Sequence, residues 1–252
     1  MLQAIRPQGS KPPFFMVHGL LGIMPIAGVM ARFLDHDRPL YILVARGLDG
    51  AESPHERMDD MLDSYLAEIR AVRARGPYIL GGVCAGGLIA MELARALSAG
   101  GERVGSVVLV DPPLVPFPHP AFLNMDPKRD PRVYQTVYAN VERTLLGFAD
   151  RFSEAAVYMN DPVQRDRTVK VGIAMLEVFR RYVCPPFAGP TEFIVSAERA
   201  HSHFHPQSPW RSVVAKPRHV HVIAGSHLDI YGDRLTEVLR LVGSVLDSAL
   251  DA

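Results

Sequence analysis

The sequence predicts an α/β protein, a mostly parallel sheet with helices on both faces. Three observations carry this. Short β-branched runs alternate with stretches in which apolar residues recur every three or four positions, the rhythm of strands joined by crossover helices. Of the 252 residues, 48% are apolar, enough to bury a substantial core at the upper end of single-domain length. No internal repeat or low-complexity tract breaks the alternation. One domain over residues 1–252 is expected, with an insertion at about 112–188.

The elements follow in order. "LQAIRPQGSKPP" reads as a linker, and "PFFMV" (Pro13 to Val17) as the first strand. "PLYILVA" (Pro39 to Ala45) is the second. Met58, Met61, Leu62, Tyr65, Leu66, Ile69 and Val72 then gather on one helical face, a core face. "YILGG" begins a third strand at Tyr78, and a glycine-dense corner leads from it into a helix reaching Leu97. "VGSVVLV" (Val104 to Val110), "TEFIVSA" (Thr191 to Ala197) and "HVHVI" (His219 to Ile223) complete six strands. Leu235, Val238, Leu239, Val242, Val245, Leu246 and Ala249 mark the closing helix.

Between Asp111 and Pro190 the rhythm breaks. Prolines at 112, 113, 116, 118 and 120 lead into helical stretches around Val133 to Phe152 and Gln164 to Val183. An insertion of this length reads as a helical lid over the carboxyl edge of the sheet, where open α/β sheets bind ligands.

Composition narrows the function. Lys and Arg total 27, as do Asp and Glu, so the basic footprint of a nucleic-acid or polybasic membrane binder is missing. No charged-then-apolar leader and no apolar run of membrane-spanning length is visible. With two cysteines, Cys84 and Cys184, a disulfide framework is ruled out and a reducing, cytoplasmic compartment is expected.

The corner carries the chemistry. In "GGVCAGG" the pattern is G-x-C-x-G-G, with Cys84 where G-x-S-x-G has serine. A nucleophile elbow needs small residues around a strained strand-to-helix turn, and Gly82, Ala85, Gly86 and Gly87 supply them. The helix N-terminus behind Cys84 favours its thiolate. In such sites the order along the chain is nucleophile, acid, histidine. His227, in "AGSHLDIYG" after the last strand, is the expected base. His219 and His221 lie within a strand, and "HSHFH" (His201, His203, His205) lacks the spacing of a metal site, so no metal is expected. Asp111 and Glu198 both end strands and compete for the acid. Spacing does not decide between them, and Asp111 is preferred because a wholly apolar strand and Pro-Pro fix it at the sheet edge. Two backbone donors are needed for a developing oxyanion, each worth on the order of 3 kcal/mol. The amide of Ala85 follows the nucleophile, and the turn in "VHGLLG" presents that of Leu20. His18 in this turn is assigned a turn-shaping role.

"IRPQGSKPPFFMVHGLLG", the run from "YILVARGLDG" to "ELARAL", "GERVGSVVLVDPP" and "VIAGSH" together resemble the thioesterase domains of nonribosomal peptide and polyketide synthases, from about Ile5 to the C-terminus and least in the lid. The resemblance implies an α/β-hydrolase fold. It places the catalytic acid after the strand that follows the nucleophile strand, hence Asp111 rather than Glu198, and maps the histidine to His227 and the oxyanion amides to Leu20 and Ala85. It implies no bound cofactor, and as substrate an acyl or peptidyl chain on the 4'-phosphopantetheine arm of an acyl or peptidyl carrier protein, the expected partner.

Most members have serine where this chain has Cys84. A serine turns the thioester into a less reactive oxygen ester, whereas a cysteine exchanges one thioester for another and keeps the acyl group activated. Release by hydrolysis, amine transfer or cyclisation is therefore expected. A carrier-independent cysteine esterase or lactone hydrolase, and a non-catalytic module that binds acyl carriers, are the alternatives. Phe148, Phe179 and Tyr182 are aromatics of the lid, read as lid core ahead of an acyl channel.

Overall fold

The computed structural model describes residues 1–113, 130–150, 156, 158, 160–205 and 207–248, and for Phe148 and Ala149 the backbone alone. The prolines expected at 116, 118 and 120, and Phe152 and Ala249, lie outside the described residues.

Seven strands form one sheet in the order β1-β3-β2-β4-β5-β6-β7. They are β1 (Leu2–Arg6), β2 (Phe14–Val17), β3 (Leu40–Leu43), β4 (Tyr78–Val83), β5 (Val104–Val110), β6 (Thr191–Ser196) and β7 (His219–Ile223). All neighbours pair in parallel except β1 with β3. Six strands coincide with the expected runs. The seventh, β1, corrects the reading of "LQAIRPQGSKPP" as a linker. Leu2, Gln3 and Ala4 pair antiparallel with Leu43, Ile42 and Tyr41, and the Arg6 guanidinium donates to the carbonyls of Ala31 and Arg38. Main-chain pairing holds this strand to the sheet edge, and its side chains remain half-buried or exposed, so hydrophobic periodicity does not reveal it.

The central strands β2, β4 and β6 are buried along their whole length, as expected of a parallel sheet covered on both faces. Their cover comes from α1 (Ala27–Ala31), α2 (Met58–Val72), α3 (Ala85–Ala99) and, at the C-terminal end, α8 (Leu235–Ser248). On α2 the expected face is inward at Met61, Tyr65, Leu66 and Ile69, and Val72 at its end is exposed. On α8 Val238, Leu239, Val242, Val245 and Leu246 are buried. Among the described residues between β5 and β6, two helices, α4 (Pro131–Ala149) and α5 (Pro162–Arg180), pack against each other. After β6 come α6 (Ala197–Phe204) and the short α7 (Trp210–Val213). The carboxyl ends of β4, β5, β6 and β7 share one edge of the sheet, and the residues just beyond them form the site.

Candidate active site

Cys84 follows the last residue of β4 with φ 50° and ψ −125°. That left-handed backbone is unusual for a residue with a Cβ and is stable only where surroundings over-determine it. Here the Cys84 amide donates to the Val110 carbonyl at 2.9 Å, and the Gly87 amide donates to the Cys84 carbonyl at 3.0 Å. A Cβ on Gly82 would stand 2.1 Å from the Gly86 carbonyl oxygen, and one on Gly86 would stand 2.1 Å from that of His18. The glycines are thus demanded by backbone crowding, and they let α3 begin directly behind the thiol.

Asp111 is the residue after β5, fully buried, and its φ of 46° is the other left-handed value at a non-glycine among the described residues. Its amide donates to Ile194 at 2.7 Å. One carboxylate oxygen accepts from the Ser196 amide at 2.7 Å, and the other from His227 Nδ1 at 2.5 Å. Arg199 on α6 donates to the Asp111 backbone carbonyl and holds its Nη1 3.4 Å from the carboxylate. The other acid considered, Glu198, accepts from the backbone amide of His227 at 2.9 Å. It braces the histidine loop, while Asp111 meets the ring.

With Nδ1 donating to Asp111, the His227 ring borders the same cavity as the Cys84 thiol, and the two groups shift each other's pKa. Burial alone would raise the Cys84 pKa. The charge and hydrogen bond of His227, with Arg199 and the Ala85 amide, outweigh it and bring the thiol down to about 7. Burial likewise opposes a charged His227, but the Cys84 charge and the bond to Asp111 raise it to about 9. For Asp111 the burial penalty is exceeded by His227, Arg199 and the Ser196 amide, which lower its pKa. The arrangement favours a thiolate and an imidazolium side by side. Tyr231 meets the His227 ring edge to face at 5.3 Å.

His18 is fully buried. Its Nδ1 is 2.6 Å from the Gly19 carbonyl, and its Nε2 is 2.7 Å from the Tyr65 hydroxyl. Burial is the main reason its pKa falls to about 4, so the ring is neutral, donating from Nδ1 and accepting from Tyr65. It shapes the turn between β2 and α1, as expected. Leu20 in that turn is half-buried and Ala85 is buried. The turn walls one side of a cavity of about 170 Å3 that opens on Cys84 and His227, with Thr144 of α4 and Tyr231 contributing the remaining edge.

The other histidines stand apart. His203 is buried, stacked on Trp210 at 5.8 Å, with Nε2 2.8 Å from the Pro112 carbonyl. Trp210 Nε1 donates to the Pro113 carbonyl at 3.1 Å, so two ring nitrogens pin the chain where it leaves β5. His219 pairs with Glu192 at 3.0 Å on the edge strand. Among the described residues, no group of three His, Cys, Asp or Glu side chains is placed to hold a metal ion. Phe179 is buried against Tyr182, whose hydroxyl donates to Glu92 at 2.5 Å. Neither lines the Cys84 cavity, and the side chain of Phe148 lies outside the described residues. Sequence reasoning missed Arg199 and Tyr231. For Tyr231 a signal exists, an aromatic one helical turn beyond the histidine; for Arg199 there is none.

Residues 12–246 match the family model described as Thioesterase domain. The chain is 42% identical over 113 residues to malpinin synthetase of Mortierella alpina, covering 45% of this chain and 2% of that protein. It is 37% identical over 105 residues to atromentin synthetase nps3 of Serpula lacrymans, covering 42% of this chain and 11% of that protein. It therefore spans a small part of the curated relatives it matches. Among solved structures, the NocB thioesterase domain in covalent complex with a fluorophosphonate nocardicin G analog superposes with a TM-score of 0.71 at 19% identity, covering 100% of both chains. A four-domain nonribosomal peptide synthetase bound to AMP and glycine superposes with a TM-score of 0.78 at 20% identity, over 98% of this chain and 20% of that one. These structures share the fold. The family match over nearly the whole length is the deciding finding: the chain belongs to the thioesterase domain family.

Proposed function

We propose that this protein takes an acyl or peptidyl chain from the phosphopantetheine arm of a carrier protein onto Cys84 and releases it to water, to an amine or to an internal nucleophile. The observation that supports the reading is the hydrogen bond from His227 to Asp111 at the carboxyl edge of the sheet, with Cys84 and His227 lining one cavity. In this mechanism the Cys84 thiolate attacks the thioester carbonyl. The amides of Leu20 and Ala85 receive the oxyanion, and His227, oriented by Asp111, protonates the departing pantetheine thiolate. His227 then takes the proton from the incoming water or amine as the acyl group leaves Cys84. The helices α4 and α5 act as a lid. The synthetase names among the relatives agree with a carrier-borne substrate.

The thiol governs the second half of the cycle. An acyl group on sulfur stays as reactive as it was on the carrier, and thioesters are especially open to amines. Cys84 therefore suits transfer and ring closure as well as hydrolysis. The test loads the protein from a synthetic acyl thioester, follows the intermediate by intact mass, and adds amines. Amide product at the expense of free acid is expected. Free acid alone at every amine concentration refutes transfer, and turnover that survives Cys84→Ala refutes the nucleophile assignment.

A further inference from the structure

The wall of the cavity beside Cys84 differs in chemistry from the rest of the site. Leu21, Ile23, Met24 and Ile26 of the turn after β2 are each buried and face into it. Beyond the catalytic thiol and imidazole and the phenol of Tyr231, the polar side chain among its described lining residues is Thr144, whose hydroxyl is spent on the Asn140 carbonyl of its own helix at 3.0 Å. Among its described lining residues there is no Lys, Arg, Asp or Glu. Its volume of about 170 Å3 slightly exceeds the about 150 Å3 of an apolar cavity that holds benzene.

We infer that this cavity is the acyl-binding site and that it selects an uncharged, apolar acyl group of about the bulk of a phenyl ring or a six-carbon chain. The inference rests on the thioesterase reading and adds its substrate class. A carboxylate or ammonium at the far end of such a chain would lose its water against Leu, Ile and Met side chains with no counter-charge to meet it. An apolar chain of the same length gains with each methylene buried, roughly fourfold per group. That gain is realised only when the carbonyl lies at Cys84, so it appears in the rate of acylation.

N-acetylcysteamine thioesters of acetate, hexanoate, phenylacetate and adipate are the probes, with formation of the Cys84 acyl-enzyme followed by intact mass. In the step read, the Cys84 thiolate forms a new sulfur–carbonyl bond, the bond to N-acetylcysteamine breaks, and that thiolate takes a proton from His227. Hexanoyl and phenylacetyl groups are expected to load on the order of 100-fold faster than adipoyl, which has the same chain length as hexanoyl and a terminal carboxylate. Met24→Phe narrows the cavity from its wall. Thr144→Phe does so from an exposed helix position, where folding is safe. Both should slow hexanoyl and phenylacetyl loading at least about tenfold more than they slow acetyl loading. Adipoyl loading as fast as hexanoyl, or Thr144→Phe slowing acetyl and hexanoyl alike, would overturn the inference and leave the thioesterase reading standing. If no thioester loads Cys84, both fall together.

Discussion

Cys84 and Asp111 stand at the ends of neighbouring parallel strands, and both hold a left-handed backbone, yet they are held there by different means. The elbow at Cys84 is fixed by main chain pressing on main chain, with Gly82, Gly86 and the His18 carbonyl within reach of one another. The corner at Asp111 is fixed by polar bonds from residues more than eighty positions away, Ser196 and Arg199. The first device tolerates no added atom, whereas the second tolerates changes of shape but not of hydrogen bonding or charge. Substitutions at the elbow should therefore be read in stability, and substitutions at the corner in rate and in pH dependence.

The largest effect is expected from Asp111→Asn. The amide retains an acceptor for Ser196, so the fold survives, but the imidazolium loses its counter-charge. Turnover of an acyl thioester should fall on the order of 100- to 10,000-fold, with the melting temperature little changed. A large loss of stability instead would erase the distinction between the two corners. Gly86→Ala tests the other side. Its new Cβ meets the His18 carbonyl, and a loss of about 2–3 kcal/mol in chemical denaturation is expected. Unchanged stability would mean that the elbow is less crowded than its geometry states.

The smallest and sharpest test is Arg199→Ala. In the native site the rate of Cys84 alkylation by iodoacetamide should rise through an inflection near pH 7, because the thiol ionises there. Arg199 favours the thiolate, though less than His227 does, so its removal moves the inflection part of the way toward the ordinary thiol range near 8.5, with alkylation at neutral pH slower by roughly two- to threefold. Arg199→Lys keeps the charge and should restore most of the shift. An inflection that stays in place in Arg199→Ala would assign Arg199 to the backbone of Asp111 alone.

The same contrast explains what the sequence disclosed. Small residues around a nucleophile form a local pattern, and "GGVCAGG" announced the elbow because the small residues its crowding requires are adjacent in sequence, even though one of the groups they meet, the His18 carbonyl, is not. The strands of the buried sheet announced themselves through continuous apolar runs. His227 was proposed from its order and its place after a strand, whereas Asp111 shared those features with Glu198 and was preferred only for the apolar strand and Pro-Pro around it and for the resemblance. Arg199 was not, because its contact joins the ends of β5 and β6 across an insertion, and the neighbouring histidines drew attention to metal binding. β1 was hidden for a different reason. An edge strand held by main-chain pairing, with its side chains exposed or half-buried, has no periodic signature, and the prolines and glycine downstream of it read as a linker. The cavity wall was hidden too, since "LLGIMPI" is an apolar run without strand or helix period, and its role depends on how the turn folds over Cys84.

Trp210 is the chain's single tryptophan, and its ring nitrogen is tied to Pro113, at the point where the chain leaves β5 for the insertion. The molecule thus carries its own fluorophore at the root of the segment. Excitation at the red edge of protein absorption addresses that one indole, with no label added. Its buried setting, stacked on His203, calls for short-wavelength emission, and that emission, followed as Cys84 is loaded, reads whether the surroundings of the Pro113 tether change in the same cuvette as the chemistry.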